Sequence, residues 1–576
     1  MTNLTPRGFR DILPAEAAER ERITAQVNAL FAQAGYLPVE TPLLEDRATL
    51  ERGGRIQDAP FQLIDADDSL LMLRSDLTQP IARLVVGRLL SDSSAGLTRE
   101  PAADASPLAP IRLRYVAPVV REEESLRGRE RQFTQIGVEL VRERTRSHAA
   151  EAEVVSLLAA ALERVGLSDA CVVAGSVKPL SALLEACSPS PAFTRDVLAC
   201  VHASDFVDLD AVVMAALRAG SITEPAAEAL RRLPRLHGGS ELLAELDGLL
   251  AAAGVDERER GVVELRRLME SVDAEARLSL DFSIISSFDY YTGVVFKAYV
   301  PGMPWPVASG GRYDSVYANL GRPGLSACGF ACSLDNLVAA CAQQAPGGTT
   351  RPLRIAVPKG SLFKPALAAL AAAGCPTEEL ANPGRKLILD ADTPFGPVQY
   401  VIVRATDAPA FVAFGGADLG LCGRDSLVEA GLDLVQLWDL GFGGCRFVVA
   451  EPAGAHEATE AAIARRGTVR VASKYPRITQ DYYARVGQQV DVVALHGNIE
   501  LGPIIGLADR IVDITATGTT LAENDLVIVD EVMECTARLF ASPTSYRQDA
   551  RVRALAQALG ERVAVSAAET CGGPLS

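Results

Sequence analysis

A stretch of small polar residues, glycine and proline at positions 342–352 divides this chain of 576 residues into two segments with different apolar patterns. It reads Ala-Gln-Gln-Ala-Pro-Gly-Gly-Thr-Thr-Arg-Pro, a composition typical of linkers because it offers little apolar surface to bury. With 48% hydrophobic and 22% charged residues, the chain can bury more than one core. The sequence therefore predicts two folded parts, residues 1–341 and 353–576.

The front segment mixes helical and strand-like patterns. Apolar residues at helical spacing predict a helix over 16–34, and strand-like runs occupy 111–120 and 135–141. Residues 154–268 are rich in Ala, Leu, Glu and Arg, which favours packed helices, and strand character returns at 278–300. We expect an α+β fold with a helical insertion.

The rear segment has a different rhythm, in which short apolar runs alternate with helical stretches from Leu353 to Val529. Such alternation predicts an α/β domain with mostly parallel sheets.

Composition argues against several classes of protein. A formal net charge of −17 is unsuited to a large nonspecific nucleic-acid surface. The 11 cysteines include no CxxC pair and the 5 histidines lie far apart, so no zinc site or disulfide framework is indicated. No apolar stretch approaches the roughly 18 residues that span a bilayer, and the first residues carry no apolar signal region. We expect a cytoplasmic protein without a membrane partner.

Four motifs of the front segment match one known family. They are Pro-Arg-Gly-Phe-Arg-Asp-Ile-Leu-Pro at 6–14, the charged segment 121–139, Phe-Asp-Tyr-Tyr-Thr-Gly at 288–293 and Ser-Gly-Gly-Arg-Tyr-Asp at 309–314. Together they resemble histidyl-tRNA synthetases over most of residues 1–341. The resemblance implies the α+β class II synthetase-like catalytic-core fold.

The resemblance also implies a histidine-binding pocket. Such a pocket needs carboxylates for the α-ammonium, a cation for the α-carboxylate and hydrogen-bonding groups for the imidazole. The residues that fall at these positions are Asp76, Thr78, Arg121, Gln135, Glu139, Tyr290 and Tyr291.

Two arginines that synthetases use for amino-acid activation have no counterpart here. The matching positions hold Ser286 and Asn336. Because the loss of one preorganised donor typically costs about 3 to 4 kcal/mol of transition-state stabilisation, we expect adenylation to be lost. The anticodon-binding domain is also replaced by the rear segment. This combination resembles the regulatory subunit of short-form ATP phosphoribosyltransferase, which implies histidine as an effector and no tRNA partner.

In the rear segment the most specific element is residues 506–521, Gly-Leu-Ala-Asp-Arg-Ile-Val-Asp-Ile-Thr-Ala-Thr-Gly-Thr-Thr-Leu. A strand ending at Ile514, a glycine that lets the backbone turn around an anion, and a helix starting near Leu521 suit a phosphate group. Residues 353 to about 565 resemble the catalytic subunit of short-form ATP phosphoribosyltransferase, whose phosphoribosyl-pyrophosphate loop this is. The implied binding residues are Asp513, for the ribose hydroxyls, and Thr517, Gly518, Thr519 and Thr520, for the 5′-phosphate.

The resemblance further places the family's basic positions at Lys359, Arg385 and Arg404, as candidates for stabilising leaving pyrophosphate. Many relatives have arginine where this chain has Ser361. Asp418, Gly423 and Asp425 lie in another matching stretch, where they either line the cleft or build turns. Mg²⁺ is expected on the phosphate oxygens with few protein ligands, and no other metal site is predicted.

The fold that the resemblance implies is a two-lobed α/β periplasmic-binding-protein-like phosphoribosyltransferase domain, with the second lobe at about 444–524 and the chain returning to the first lobe near Asp525. The implied reaction joins ATP and phosphoribosyl pyrophosphate into N1-(5-phosphoribosyl)-ATP, the first step of histidine biosynthesis, in a homo-oligomer. Two alternatives stay open. One is a working histidyl-tRNA synthetase with a fused small-anion-binding domain, and the other is a noncatalytic binding module.

Overall fold

The computed structural model describes residues 5–54, 61–90, 109–121, 130–144, 149–187, 190–272, 277–284, 291–343 and 351–571. The chain forms two compact units, Met1–Gly348 and Thr349–Ser576. Their division falls within the predicted linker, of which residues 344–350 lie outside the described residues. The helix that precedes it runs to Gln343 and so includes the first two residues of the predicted linker.

Strands and helices alternate irregularly in the front unit. The strands are β1 Leu37–Pro38, β2 Leu44–Asp46, β3 Gln62–Ile64, β4 Leu70–Leu73, β5 Ile111–Val120, β6 Gln132–Glu143, β7 Cys171–Ser176, β8 His237–Gly238, β9 Leu278–Asp281, β10 Val294–Tyr299, β11 Ala308–Arg312 and β12 Leu325–Ser333. The α-helices are α1 Pro14–Gln33, α2 Arg47–Gly53, α3 Thr78–Leu84, α4 Ala149–Arg164, α5 Lys178–Cys187, α6 Pro191–His202, α7 Phe206–Arg218, α8 Glu224–Arg232, α9 Leu242–Ala252, α10 Val262–Ser271, α11 Asp314–Asn319 and α12 Leu334–Gln343.

The first helix shows why the periodic pattern was informative. Proline at the first position of α1 is preset for a helix and has no N–H to leave unpaired. Ile23, Val27 and Phe31 repeat every four residues and are almost fully buried. The predicted helix at 16–34 is therefore confirmed, with its start at Pro14.

A mixed sheet of nine strands forms the centre of the front unit, in the order β1-β5-β6-β12-β11-β10-β7-β9-β8. The strands β5, β6, β12, β11, β10 and β7 pair antiparallel with their neighbours in that order. The expected helical block at 154–268 is interrupted by β7, where the run Cys-Val-Val-Ala-Gly-Ser favours a strand through its β-branched residues. A smaller sheet has the order β2-β4-β3.

The rear unit alternates strands and helices from Leu353 onward. Its strands are β13 Leu353–Pro358, β14 Ile388–Thr393, β15 Gly396–Val403, β16 Leu419–Gly423, β17 Val435–Asp439, β18 Cys445–Pro452, β19 Val469–Ser473, β20 Val490–Ala494, β21 Arg510–Thr515, β22 Leu526–Cys535 and β23 Ala537–Ala541. Its helices are α13 Phe363–Ala372, α14 Glu378–Ala381, α15 Ala408–Ala413, α16 Arg424–Ala430, α17 His456–Arg466, α18 Pro476–Arg485, α19 Leu501–Ile504, α20 Thr519–Glu523, α21 Pro543–Gln548 and α22 Ala550–Cys571.

Two mixed sheets organise this unit. The first has the order β14-β15-β13-β16-β23-β17, with β15, β13 and β16 parallel. The second has the order β20-β19-β21-β18-β22, with β20, β19 and β21 parallel. The expectation of mostly parallel sheets holds for these central strands only, because β14, β23, β18 and β22 pair antiparallel.

The chain crosses between the two sheets twice, through residues 440–444 and through Thr536. The return was expected near Asp525, and this position was wrong. Residues Leu526–Cys535 instead form β22, which satisfies its backbone groups by pairing with β18, so the chain rejoins the first sheet at Ala537. Among the described residues, no helix is both long and apolar enough to cross a membrane.

Candidate functional sites

Two cations follow directly on neighbouring parallel strands of the rear unit. Lys359 comes after β13 and Arg404 after β15, and the strands are in register at Pro358 and Val403. The backbone N–H of Lys359 donates to the carbonyl of Val403 at 2.7 Å. Both side chains are exposed at the carboxyl edge of the first sheet, where ligands bind in open α/β sheets.

Arg385 lies at the same sheet edge as Lys359 and Arg404, next to strand β14, which pairs antiparallel with β15. It precedes β14, and the N–H of Ile402 donates to the carbonyl of Leu387 at 2.8 Å, which brings residues 385–387 to the same edge. Arg385 is exposed as well. Three cations at one edge repel one another unless an anion lies between them, so the edge is suited to a polyanionic group.

The carboxylates of the neighbouring strand β16 have separate roles. Asp418, which immediately precedes β16, is buried and accepts hydrogen bonds from Arg351 (2.6 Å), Ser545 (2.7 Å) and the N–H of Arg354 (2.9 Å). This supports a structural role at the edge opposite the cations. Asp425 lies beyond the end of β16, at the same carboxyl edge of the first sheet as the three cations, which we call the cation edge. Burial raises the pKa of its carboxyl.

The loop at 515–520 follows the end of β21 in the second sheet. Gly518 has a φ of +79°, a left-handed conformation that favours glycine. Its N–H donates to the Thr515 hydroxyl at 2.8 Å, and the hydroxyls of Thr517 and Thr519 are 2.8 Å apart. The helix was expected near Leu521 but begins at Thr519, so that Gly518 is its N-cap. Thr517, Thr519 and Thr520 are exposed around the turn.

Lys474 was not recognised from the sequence. It follows β19, the parallel neighbour of β21, as Lys359 follows β13, and this strand-then-lysine pattern was the available signal. Burial raises the pKa of Asp513 and of Asp425, and the Lys474 ammonium opposes the rise at both. Lys474 therefore lies near Asp513 of the second sheet and near Asp425, in the helix α16 that follows a strand of the first sheet.

The front unit contains a cavity of about 290 Å³, and six of the seven predicted pocket residues line it. These six are Asp76, Thr78, Arg121, Gln135, Glu139 and Tyr291. Tyr290 and Ser286 lie outside the described residues.

Glu139 forms the acidic wall of this cavity. It is 1% exposed and accepts hydrogen bonds from the hydroxyls of Thr78 (3.0 Å) and Tyr313. Burial raises the pKa of the Glu139 carboxyl to about 8, and the nearby Asp76 charge adds to the rise. A Cβ at Gly329 would overlap the Glu139 carboxylate, which explains the glycine at that position.

Gln135 supplies an unsatisfied acceptor. Its side chain is buried, and its Oε1 has no hydrogen-bond partner among the described residues. An unpaired buried acceptor costs about 1 to 3 kcal/mol. A ligand N–H in the cavity would relieve that cost.

Cationic and further polar groups complete the cavity. Arg121 donates to the carbonyl of Ser75 at 2.9 Å and lies over the Phe133 ring at 5.2 Å. Lys297, Ser309 and Tyr313 also line the cavity and were missed. The signal for Lys297 was a single charge inside the apolar strand Val-Val-Phe-Lys-Ala-Tyr.

Asn336 has a neutral side chain and so contributes no charge to the cavity. Its amide donates to the carbonyl of Pro306 at 3.1 Å, and its backbone N–H donates to the Ser333 hydroxyl at 3.2 Å. This position therefore holds a loop in place and supplies no cation.

Comparisons with known proteins agree with this division. The family model described as histidyl-tRNA synthetase matches residues 8–337, more than half of the chain, and the model described as ATP phosphoribosyltransferase matches residues 404–561. An ATP phosphoribosyltransferase of Rubrobacter xylanophilus is 47% identical over 211 residues, which cover 36% of this chain and 96% of that protein. The Moorella thermoacetica ATP phosphoribosyltransferase is 46% identical over 219 residues, 37% of this chain and 95% of that protein.

A solved structure also resembles this chain. It is described as an ATP phosphoribosyltransferase regulatory subunit/histidyl-tRNA synthetase from Bacillus halodurans, and it is 27% identical with a TM-score of 0.50. The match covers 66% of this chain and 90% of that one. The fold and the comparisons together define a phosphoribosyltransferase joined to a class II synthetase-like domain. The chain belongs to the histidyl-tRNA synthetase family through its front unit and to the ATP phosphoribosyltransferase family through its rear unit.

Proposed function

We propose that the chain transfers the phosphoribosyl group of phosphoribosyl pyrophosphate to N1 of the adenine of ATP, as the first step of histidine biosynthesis. The observation that carries this proposal is the grouping of Lys359, Arg385 and Arg404 at one sheet edge, in the same unit as the Gly518 loop. The assay is formation of N1-(5-phosphoribosyl)-ATP from the two substrates by the intact chain. A folded protein without this turnover would leave the two alternatives, a noncatalytic binding module or a synthetase with a fused small-anion-binding domain.

In this reaction adenine N1 forms a bond to C1 of the ribose while the bond from C1 to the pyrophosphate oxygen breaks. The electron pair leaves with pyrophosphate, and C1 is inverted. Adenine N1 is unprotonated at neutral pH, so no strong base is required. Positioning and electrostatic stabilisation therefore supply most of the catalysis.

The proposed roles follow from the charges. Arg385 and Arg404, with Lys359 beside them, hold the pyrophosphate as its negative charge grows. Thr517, Gly518, Thr519 and Thr520 bind the 5′-phosphate through hydroxyls and backbone N–H groups. Asp513 accepts hydrogen bonds from the ribose hydroxyls, and Lys474 is added as a further anion-binding group because its charge acts on both Asp513 and Asp425.

We also propose that the two sheets form two lobes of a periplasmic-binding-protein-like domain whose cleft closes on the substrates. The two crossings at 440–444 and Thr536 support this proposal, because a pair of short connections is the usual site of hinge motion. Closure would bring the Gly518 loop towards the three cations and exclude water.

Mg²⁺ is proposed to enter with the pyrophosphate group of the substrate. In the part of the chain that the structure describes, no three His, Cys, Asp or Glu side chains are grouped to hold a metal ion. The proposed ion would instead be bound mainly by phosphate oxygens and water, because Mg²⁺ keeps several of its waters when it binds substrate phosphates. Chelation of divalent ions should stop turnover, and added Mg²⁺ should restore it.

For the front unit we propose histidine binding in the 290 Å³ cavity and feedback inhibition of the rear unit. The acidic wall of Asp76 and Glu139 is suited to a cationic amine, Arg121 and Lys297 to a carboxylate, and the unpaired Gln135 acceptor to an N–H donor. Histidine offers all three groups. Initial rates with and without histidine test the coupling, which is typically worth about 1 to 3 kcal/mol.

The front unit is not proposed to activate histidine. Asn336 uses its amide to hold Pro306 and provides no guanidinium for ATP phosphates. Histidine-dependent exchange of pyrophosphate into ATP should therefore be absent. We further propose that residues 342–352 link the regulatory domain, 1–341, to the catalytic domain, 353–576, at high effective concentration in a homo-oligomer.

A further inference from the structure

Two cysteines face each other where the chain enters and leaves the second sheet of the rear unit. Cys445 is the first residue of β18, Cys535 is the last residue of β22, and the two are direct partners in the antiparallel register. The Cys445 sulfur lies 3.9 Å from the Cys535 carbonyl oxygen, and both thiols are free. Among the described residues, no other two cysteines are partners across neighbouring strands.

The spacing of such partners suits a disulfide. Opposed residues in an antiparallel pair have Cα atoms about 4.5 to 5.5 Å apart, and disulfides span about 4.4 to 6.8 Å between Cα atoms. Direct partners such as Cys445 and Cys535 therefore fall within the range of Cα separations that a disulfide spans.

The two thiols differ in access and acidity. Cys445 is partly exposed, whereas Cys535 is 2% exposed. Hydrogen bonding with Cys535 lowers the pKa of the Cys445 thiol, while the same contact and burial raise the pKa of the Cys535 thiol. Cys445 is thus suited to attack an oxidant, and Cys535 to resolve the product.

The pair lies at the connection between the sheets. Immediately outside it, Ala537 donates to the carbonyl of Phe442 at 2.9 Å, and Leu440 donates to the carbonyl of Ala537 at 2.8 Å. The backbone N–H of Arg424, at the cation edge, donates to the carbonyl of Thr536 at 3.0 Å. The two connections between the sheets run through this part of the chain, so any rotation of one sheet against the other changes their backbone conformation.

We propose that Cys445 and Cys535 form a reversible disulfide that restrains the junction between the two sheets and so slows phosphoribosyl transfer. The disulfide is a new modification site, and its effect on rate depends on the proposed function and on cleft closure. Cytosolic disulfides are usually transient and redox-sensing, which fits a pair that is reduced at rest.

Hydrogen peroxide is the oxidant in the proposed reaction. The Cys445 thiolate attacks one peroxide oxygen, so that an S–O bond forms, the O–O bond breaks, and hydroxide leaves to become water with one proton. The Cys535 sulfur then attacks the sulfenic sulfur, giving up its proton as the S–S bond forms and a second water leaves. Two thiols lose two electrons in total, and one peroxide gains them.

The test treats the reduced intact chain with hydrogen peroxide and follows two readouts. Digestion without reductant should give a single linked peptide containing Cys445 and Cys535, with a loss of about 2 Da. The initial rate of phosphoribosyl-ATP formation should fall roughly tenfold, because motions of a cleft commonly limit turnover. Dithiothreitol should restore the rate and the separate peptides.

Variants distinguish the effect of the Cys445–Cys535 disulfide on the rate from the effect of oxidation at other residues. Cys445→Ser and Cys535→Ala should keep their rates after peroxide, while the control Cys375→Ala, which retains the pair, should lose activity like the native chain. Absence of the linked peptide, an unchanged rate in the linked protein, or equal loss in Cys535→Ala would overturn the proposal. If the reduced chain shows no phosphoribosyl transfer, the proposed function fails. In that case the linked peptide and a melting temperature raised by several degrees test whether the disulfide forms, independently of activity.

Discussion

Lys359 donates its backbone N–H to the carbonyl oxygen of Val403 at 2.7 Å, and this bond holds two cations beside each other. Arg404 follows Val403 directly, and the parallel register continues from β13 and β15 to this point. The strand ends therefore fix the spacing of charges that lie 45 positions apart in the chain, before any substrate binds. Such preorganisation is what stabilisation of a leaving anion requires.

Arg404→Ala should lower kcat for phosphoribosyl-ATP formation by roughly 100-fold or more, because it removes a preorganised donor. The side chain is exposed, so the melting temperature should stay nearly unchanged. Arg465→Ala removes an exposed arginine of α17 and serves as the matched control. Equal rates in the two variants would contradict the role of Arg404.

Gly518→Ala should raise the KM for phosphoribosyl pyrophosphate. Its φ of +79° strains any side chain by about 1 to 2 kcal/mol, although no atom lies within 4 Å of the added Cβ. Gly487→Ala has nearly the same φ, +73°, and the same open space. It follows α18 and precedes β20, away from the loop. A KM change shared by both variants would indicate general strain and not loss of a phosphate site.

Gln135→Leu should weaken histidine inhibition at least about tenfold, because it removes an acceptor that a ligand N–H would satisfy. Since that acceptor is unpaired in the cavity, the variant should be no less stable than the native chain. The inhibition constant and the melting temperature without histidine are the two measurements. Gln33→Leu, at the exposed end of α1, is the control. An unchanged inhibition constant in Gln135→Leu would show that this side chain does not bind histidine.

Glu139→Gln should change how stability depends on pH. The folded protein binds the Glu139 proton more tightly than the unfolded chain, because its pKa is raised from 4.5 to about 8. Native stability therefore loses about 1.4 kcal/mol per pH unit from this group as pH rises through that window. The variant does not titrate there, so its stability relative to the native chain should increase from pH 5 to about pH 8 and then level off.

Calorimetry of the intact chain at several pH values measures this difference. Glu257→Gln changes an exposed carboxyl of the same unit and is the matched control. A difference between Glu139→Gln and the native chain that does not change with pH would contradict the raised pKa of the Glu139 carboxyl.

Local sequence information was enough to predict several parts of the sites. A strand that ends before Gly518, or before Lys359, is recognisable from neighbouring residues alone, since turn and strand preferences act over a few positions. The motifs of the front unit likewise located six residues that line one cavity. Thr515 was missed because its hydroxyl bond to the Gly518 N–H depends on the shape of the turn itself.

Other residues of the sites could not be predicted from local sequence alone. Lys297 and Tyr313 reach the cavity from strand β10 and the residue after β11, and only the sheet order brings them to Glu139. The return of the chain at Ala537 was also misplaced, because pairing of β22 with β18 competes with any local boundary signal.

The sequence by itself determined that the chain has two folded units, which families they belong to, and which motifs are proposed to bind anions or an amino acid. Those features reside in composition, periodicity and contiguous motifs. Only the tertiary structure decided that Lys474 lies near Asp425 and Asp513, that Asp418 is structural, and that Cys445 opposes Cys535. Each of these depends on strand register and sheet order, which bring distant residues together through backbone hydrogen bonds that carry no residue-specific signal.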